Sequence, residues 1–125
     1  LNPGQPPCDA TGHGTWTASI IGAVGNNGDA GTAGESIAGV VWKTGIVSCK
    51  MMFAGSSDVS YAVQCLEYVA KLRNAGHRIV AVNASWGDLE QDDPMLRKAI
   101  ADLDALGILF VASAGRCFSD CDLDE

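Results

Sequence analysis

The stretch Asp9-Ala10-Thr11-Gly12-His13-Gly14-Thr15-Trp16-Thr17-Ala18-Ser19-Ile20-Ile21-Gly22-Ala23 places a histidine between two glycines, at the start of an apolar segment of small residues. The glycines on both sides of His13 allow backbone angles that a Cβ would forbid, and they let other groups approach the imidazole closely. Thr11 or Thr15 can cap the helix that the following residues predict. We therefore expect His13 to be a fixed, accessible imidazole at a helix start, where it can transfer protons near neutral pH.

Strands and helices alternate along the rest of the chain. In order, the pattern predicts a buried helix over 15–24, a strand over 45–53, a helix from Asp58 that stops at 74–76, a strand over 79–82, a helix from Asp93 that Gly107 closes, and a strand over 108–112. The last two strands are apolar without alternation, which is typical of strands buried on both faces of a parallel sheet. The sequence therefore predicts an α/β fold with three layers, in which helices cover both faces of a central parallel sheet.

The two later helices each carry one apolar stripe, because their apolar residues recur at steps of three and four. The stripes consist of Ala62, Cys65, Leu66, Val69 and Leu72 in one helix, and of Met95, Leu96, Ala99, Ile100, Leu103 and Leu106 in the other. We expect both stripes to face the core. In open α/β sheets the ligand site lies beyond the carboxyl ends of the strands, which here are the segments after Val82 and after Ala112.

Composition limits the classes of function. The chain has 125 residues with 47% hydrophobic residues, a net charge of −7 and a pI near 4.5. An acidic chain is a poor partner for nucleic acid, and we expect no membrane span because no apolar run approaches the roughly 20 residues that one needs. Since the chain begins at Leu1 without an initiator methionine or a signal peptide, we expect residues 1–125 to be part of a single domain with both ends truncated.

Two pairs of cysteines suggest different roles. Cys49 lies in an apolar run and Cys65 lies on an apolar helix face, so both are expected to be buried small hydrophobic residues. Cys117 and Cys121 could form a disulfide or bind a metal. One hypothesis is accordingly a small metal module that uses Cys8, His13, Cys117 and Cys121. His77, in a turn after Gly76, is expected to be an exposed surface histidine.

The Gly-His-Gly-Thr motif and its Ala-, Ser- and Ile-rich helix resemble the histidine motif of the subtilisin-like serine proteases, the subtilases. The blocks at 20–28, 81–87 and 107–115 resemble later blocks of this family in the same order. The resemblance covers nearly the whole chain. It implies a subtilisin-like fold and identifies the chain as an internal portion of a serine endopeptidase that acts on polypeptides. Subtilases are commonly secreted, so the resemblance also implies a secreted protein. It does not indicate an oligomeric state.

By this resemblance His13 is the general base that takes the proton of the serine nucleophile. The residues that line the substrate cleft would be Asn83, Ser85, Trp86 and Gly87. The family aspartate and serine are missing: Asp9 lies only four residues before His13 and is not the aspartate of the triad, and no Gly-Thr-Ser block is present. Only the histidine of the Ser-His-Asp triad is therefore expected in this chain.

The chain departs from the family pattern at three places. Arg116 stands where the family carries an asparagine that donates to the oxyanion, which favours an alternative: a degenerate, non-catalytic domain that binds extended peptide or nothing. Trp16 replaces a second histidine that many subtilases carry. The family further implies a structural calcium at Val24, Asn26 and Asn27, although the glycine-rich loop that follows is longer than usual.

Overall fold

The structure is a computed structural model that describes residues 8–27, 37–53, 56–87 and 92–114, and the chain divides into two units, Leu1–Lys50 and Met51–Glu125. The described part of the first unit contains helix α1 and an irregular segment over 37–50. The second unit contains two further helices and four short strands.

Helix α1 spans His13–Gly22, about two residues earlier than predicted. Three successive N–H groups of the irregular segment bond to carbonyls at its end: Gly39 to Ala23 at 2.8 Å, Val40 to Ile20 at 3.0 Å and Val41 to Ile21 at 2.9 Å. Glycine is required at position 39, because a Cβ there would lie 2.5 Å from the backbone nitrogen of Ala23. The segment therefore supplies donors for carbonyls that have no partner within the helix.

The prediction that α1 is buried is wrong for the described chain. None of its residues is buried, and Trp16 and Ile20 are 72% and 61% exposed. Apolar residues all round a helix show that it is suited to burial, but burial itself needs packing partners. Among the described residues of this unit, the irregular segment bonds to the end of the helix and leaves Trp16 and Ile20 exposed. After the helix, Asn26 takes a left-handed conformation with φ of 58°.

The second unit begins with a short hairpin, in which strand β1 (Met52–Phe53) pairs antiparallel with strand β2 (Ser56–Ser57). The strand predicted over 45–53 is therefore wrong for most of its length, since residues 45–51 form no strand. An apolar run becomes a strand only where a neighbouring strand accepts its hydrogen bonds, and the described partner of this run extends over two residues.

Helices α2 (Val59–Asn74) and α3 (Pro94–Ala105) begin as the sequence predicts. Asp58 accepts a hydrogen bond from the N–H of Ser60, and Asp93 accepts from those of Met95 and Leu96. Both helices are followed by a glycine with positive φ, 92° at Gly76 and 68° at Gly107, at the positions where the sequence predicts that they stop. These ends depend on neighbours within a few residues, so local sequence determines them.

Strands β3 (Ala81–Ala84) and β4 (Leu109–Ala112) form a parallel pair in which Ala81 lies opposite Leu109 and Ala84 opposite Ala112. Together with α3 they form a β–α–β unit, which confirms the α/β class and the parallel pairing. The expectation of burial on both faces does not hold within the described residues, because Leu109 and Val111 are 64% and 45% exposed. The third layer of the fold stays a prediction.

The core lies between α2, α3 and one face of this strand pair. Its buried residues are Val63, Leu66, Val69, Ala99, Leu103 and Ile108, with Val82 and Phe110 among the half-buried residues that pack on them. Most of the two predicted stripes therefore face the core. Met95 is the exception: it is 60% exposed, because it lies in the first turn of α3 and at the edge of the stripe.

Candidate active site

His13 is the first residue of α1, and its side chain is exposed. The preceding Gly12 has φ of 78°, a left-handed conformation that a residue with a Cβ adopts only under strain, so a glycine is needed there as predicted. Gly14 lies within the helix, and a Cβ at this position would make an ordinary contact 3.5 Å from a carboxylate oxygen of Asp9. The expectation that Gly14 also needs special backbone angles is therefore wrong.

The start of α1 is capped by Asp9, a residue that the sequence pattern only excludes as the aspartate of the triad. One carboxylate oxygen accepts from the N–H groups of Gly12 at 3.0 Å and Thr11 at 3.3 Å, and the other accepts from both the N–H and the hydroxyl of Thr15 at 2.7 Å. Thr15 is thus a donor to the cap rather than the cap itself. Thr11 is at most a weak cap, since its hydroxyl lies 3.5 Å from the His13 nitrogen.

These hydrogen bonds stabilise the charged carboxylate. The hydroxyl of Thr15 contributes most and its N–H next, and together with the N–H groups of Gly12 and Thr11 they lower the pKa of Asp9 from 3.8 to about 2. The sequence signal for this role is an aspartate three residues before a glycine, because aspartate commonly bonds to the backbone N–H groups that follow it in a turn.

We predict a pH-dependent contribution of Asp9 to stability. A carboxyl whose pKa is depressed by folding stabilises the folded state fully above its unfolded pKa of 3.8, and this contribution is lost as the pH falls through about 2. Urea unfolding of the wild type and of Asp9→Asn should therefore differ most above about pH 4 and converge towards about pH 2. A difference in unfolding free energy that stays constant over this range would contradict the prediction.

A second group of candidate residues belongs to the other unit and lies at the carboxyl ends of β3 and β4. Asn83 is the third residue of β3, and its amide nitrogen donates to the hydroxyl of Ser85 at 2.8 Å. After β4, the N–H of Ser113 donates to the carbonyl of Ala84 at 3.1 Å, and its hydroxyl donates to the carbonyl of Trp86 at 3.1 Å. Hydrogen bonds therefore join the segment after Val82 to the segment after Ala112, the two segments where the sequence predicts the ligand site.

The Trp86 ring anchors this end of the sheet. It packs against Phe110 edge to face, with ring centroids 6.2 Å apart and an interplanar angle of 70°. Asn83 and Gly87 are exposed, whereas Ser85 and Trp86 are half-buried. The role of Ser113 could not be predicted from the sequence, because its hydroxyl donates to a carbonyl 27 residues away along the chain.

The cysteine candidates and Arg116 have different outcomes. Arg116, Cys117 and Cys121 fall outside the described residues. Cys8 is a free, exposed thiol, and the described residues contain no cluster of three or more His, Cys, Asp or Glu side chains that could hold a metal ion. Cys49 and Cys65 are half-buried and both disulfide-bonded, so the expectation of two buried thiols is wrong.

The proposed calcium ligands follow α1. Val24 is 51% exposed, and Asn26 and Asn27 are exposed. They offer neutral carbonyl and amide oxygens, which calcium accepts, but calcium takes six to eight oxygens. The oxygen atoms of these three residues thus suit calcium chemically and would fill part of its coordination shell.

Comparison with known proteins shows the family to which this chain belongs. The sequence matches the subtilase family, a family of serine peptidases, over residues 1–117, and the chain belongs to it. It is also 30% identical over 121 residues to the Subtilisin-like protease 1 of Plasmodium vivax. That alignment covers 96% of this chain but 17% of the relative, so the chain spans about a sixth of the length of this curated protein.

Among the described residues, no helix has the length and apolar character that crossing a membrane requires.

Proposed function

We propose that this chain is the histidine-bearing portion of a serine endopeptidase, with His13 as the general base. The observation that carries the proposal is the exposed imidazole of His13 at the first residue of a helix whose start is held by Asp9. In subtilase chemistry such a histidine takes the proton of the serine hydroxyl and later delivers it to the leaving amine. The serine and the aspartate of the triad would come from a longer protein that contains residues 1–125.

The segment 83–87 is proposed to bind the polypeptide substrate. It comprises the last two residues of β3 and the three residues that follow at the carboxyl end of the parallel pair, and the hydroxyl of Ser113 donates to the carbonyl of Trp86. Exposed backbone next to a sheet can pair with an extended peptide as an added strand. Main-chain hydrogen bonds would then give affinity, and the side chains around Trp86 would select among substrate residues.

A second candidate function is a degenerate domain that binds peptide without cleaving it. It is favoured by Arg116, which stands in the sequence where subtilases carry the asparagine that donates to the oxyanion. Loss of that donor in another member of the family lowers turnover by about 10²–10³. An arginine also carries donors, but its longer, planar guanidinium would have to reach the same point.

Labelling with a serine-directed fluorophosphonate separates the two candidates. We expect the full-length protein to label slowly, and Arg116→Asn to raise kcat for peptide hydrolysis by about 10²–10³ because it restores the neutral donor. Arg78→Asn, the same change at an exposed residue between α2 and β3, should leave both rates unchanged. A folded full-length protein that stays unlabelled, with arginine or asparagine at 116, would contradict catalysis and favour the degenerate domain.

A structural calcium ion is proposed at Val24, Asn26 and Asn27. When bound, it would tie together carbonyl and amide oxygens after α1 and stabilise the folded state. We expect chelation by EDTA to lower the melting temperature of the full-length protein, and the double change Asn26→Ala with Asn27→Ala to remove this difference. A melting temperature that is the same with calcium and with EDTA would contradict the site.

We propose, finally, that the protein is secreted. The disulfide-bonded state of Cys49 and Cys65 supports this proposal, because disulfides persist in oxidising compartments and are rare where thiols are kept reduced. Recovery of the protein from the reduced cytosolic fraction alone would contradict it.

A further inference from the structure

The carboxylate of Asp9 is bonded to more groups than a helix cap normally requires. Its two oxygens accept five hydrogen bonds, from the N–H groups of Thr11, Gly12 and Thr15 and from the hydroxyls of both threonines. The donors lie on both sides of His13 along the chain. The carboxylate therefore ties the turn that precedes the histidine to the first turn of α1.

The turn before His13 needs this constraint because it contains Gly12. It is the N-cap residue of α1, makes no side-chain cap bond and has a left-handed φ of 78°. Glycine is the residue with the greatest backbone freedom, so the peptide that leads into His13 would be the most variable point of this turn if nothing outside the helix held it. Asp9 supplies that constraint from three residues upstream.

We propose that Asp9 is a positioning residue for His13: its carboxylate holds the turn and the helix start in the one arrangement that presents the imidazole for proton transfer. This inference rests on the proposed role of His13 as general base. The low pKa of Asp9 agrees with it, because the carboxylate stays charged throughout the pH range in which a histidine base operates. A small displacement of a reacting group is enough to slow catalysis strongly.

The other capped helices provide a matched control. Asp93 accepts from the N–H groups of Met95 and Leu96 at the start of α3, in the same manner as an ordinary cap, but α3 carries no proposed catalytic group. Asp93→Ala should therefore lower stability as a lost cap does and leave turnover unchanged. Asp9→Ala should lower stability and turnover together.

The test is steady-state hydrolysis of a peptide substrate by the full-length protein and its variants, well below each melting temperature. We expect Asp9→Ala to lower kcat by up to about 10²-fold with KM unchanged. Asp9→Asn should fall between this variant and the wild type, because an amide keeps one of the two acceptor oxygens. If the alanine variant does not fold, the kcat of Asp9→Asn still tests the proposal.

The outcomes separate this inference from the proposed function. If His13→Ala abolishes activity while Asp9→Ala and Asp9→Asn keep the wild-type kcat, the positioning role is overturned and the role of His13 stands. An equal fall of kcat in Asp93→Ala also overturns it, since any lost cap would then have the same effect. If His13→Ala keeps full activity, both proposals are overturned.

Discussion

Replacing His13 by alanine in the full-length protein is expected to lower kcat for peptide hydrolysis by about 10⁶-fold, which is the scale of loss found when the histidine is removed from another subtilase. The reason is that the serine hydroxyl is a weak nucleophile unless a base takes its proton as it attacks. The measurement is steady-state hydrolysis of a peptide substrate, with fluorophosphonate labelling of the same samples.

The chain contains its own control for this substitution. His77 is the second of its two histidines, and it is likewise exposed, in the turn after α2. His77→Ala should keep the wild-type rate, since this imidazole lies outside the motif that carries the proposed base. Equal losses in the two variants would indicate a general effect on folding, and unchanged activity in His13→Ala would refute the assignment of the base.

Replacing Leu103 by alanine is expected to lower the free energy of unfolding by about 2–5 kcal/mol. Leu103 has no exposed surface and lies in the core cluster with Leu66 and Ile108. Truncation removes buried apolar surface and leaves a cavity that the neighbouring helix can fill only in part. Urea unfolding of the full-length protein, followed by the fluorescence of its tryptophans, measures the change.

Met95→Ala on the same helix is the matched comparison. Its side chain is 60% exposed, so truncation removes little buried surface, and we expect a change within about 0.5 kcal/mol. A loss as large as that of Leu103→Ala would show that Met95 is buried in the full-length protein, as the sequence pattern alone predicted. The core assignment would then have to be extended to the first turn of α3.

The local features of this protein could be predicted from its sequence. Asp58 and Asp93 cap their helices, and Gly76 and Gly107 follow them with positive φ, because each of these interactions joins residues only a few positions apart. The β–α–β order around α3 predicted a parallel pair, and the pair is present. The motif around His13 likewise identified a helix start with an exposed imidazole.

Burial and strand extent could not be predicted in the same way. The run at 45–53 is apolar enough for a strand, and α1 is apolar enough for a buried helix, yet pairing and burial depend on what other parts of the chain supply. Met95 illustrates the same limit, because periodicity assigns a residue to a face but does not say where the packed partner ends.

The sequence by itself determined the family motif, the ends of α2 and α3 and the β–α–β order around α3, since these depend on residue types and short spacings. Only the tertiary structure decided that Asp9, rather than a threonine, holds the start of α1, and that Ser113 joins the segment after β4 to Trp86. The physical reason is that a hydrogen bond needs a donor and an acceptor within about 3 Å. For groups separated by a turn or by a whole helix, the folded backbone sets that distance.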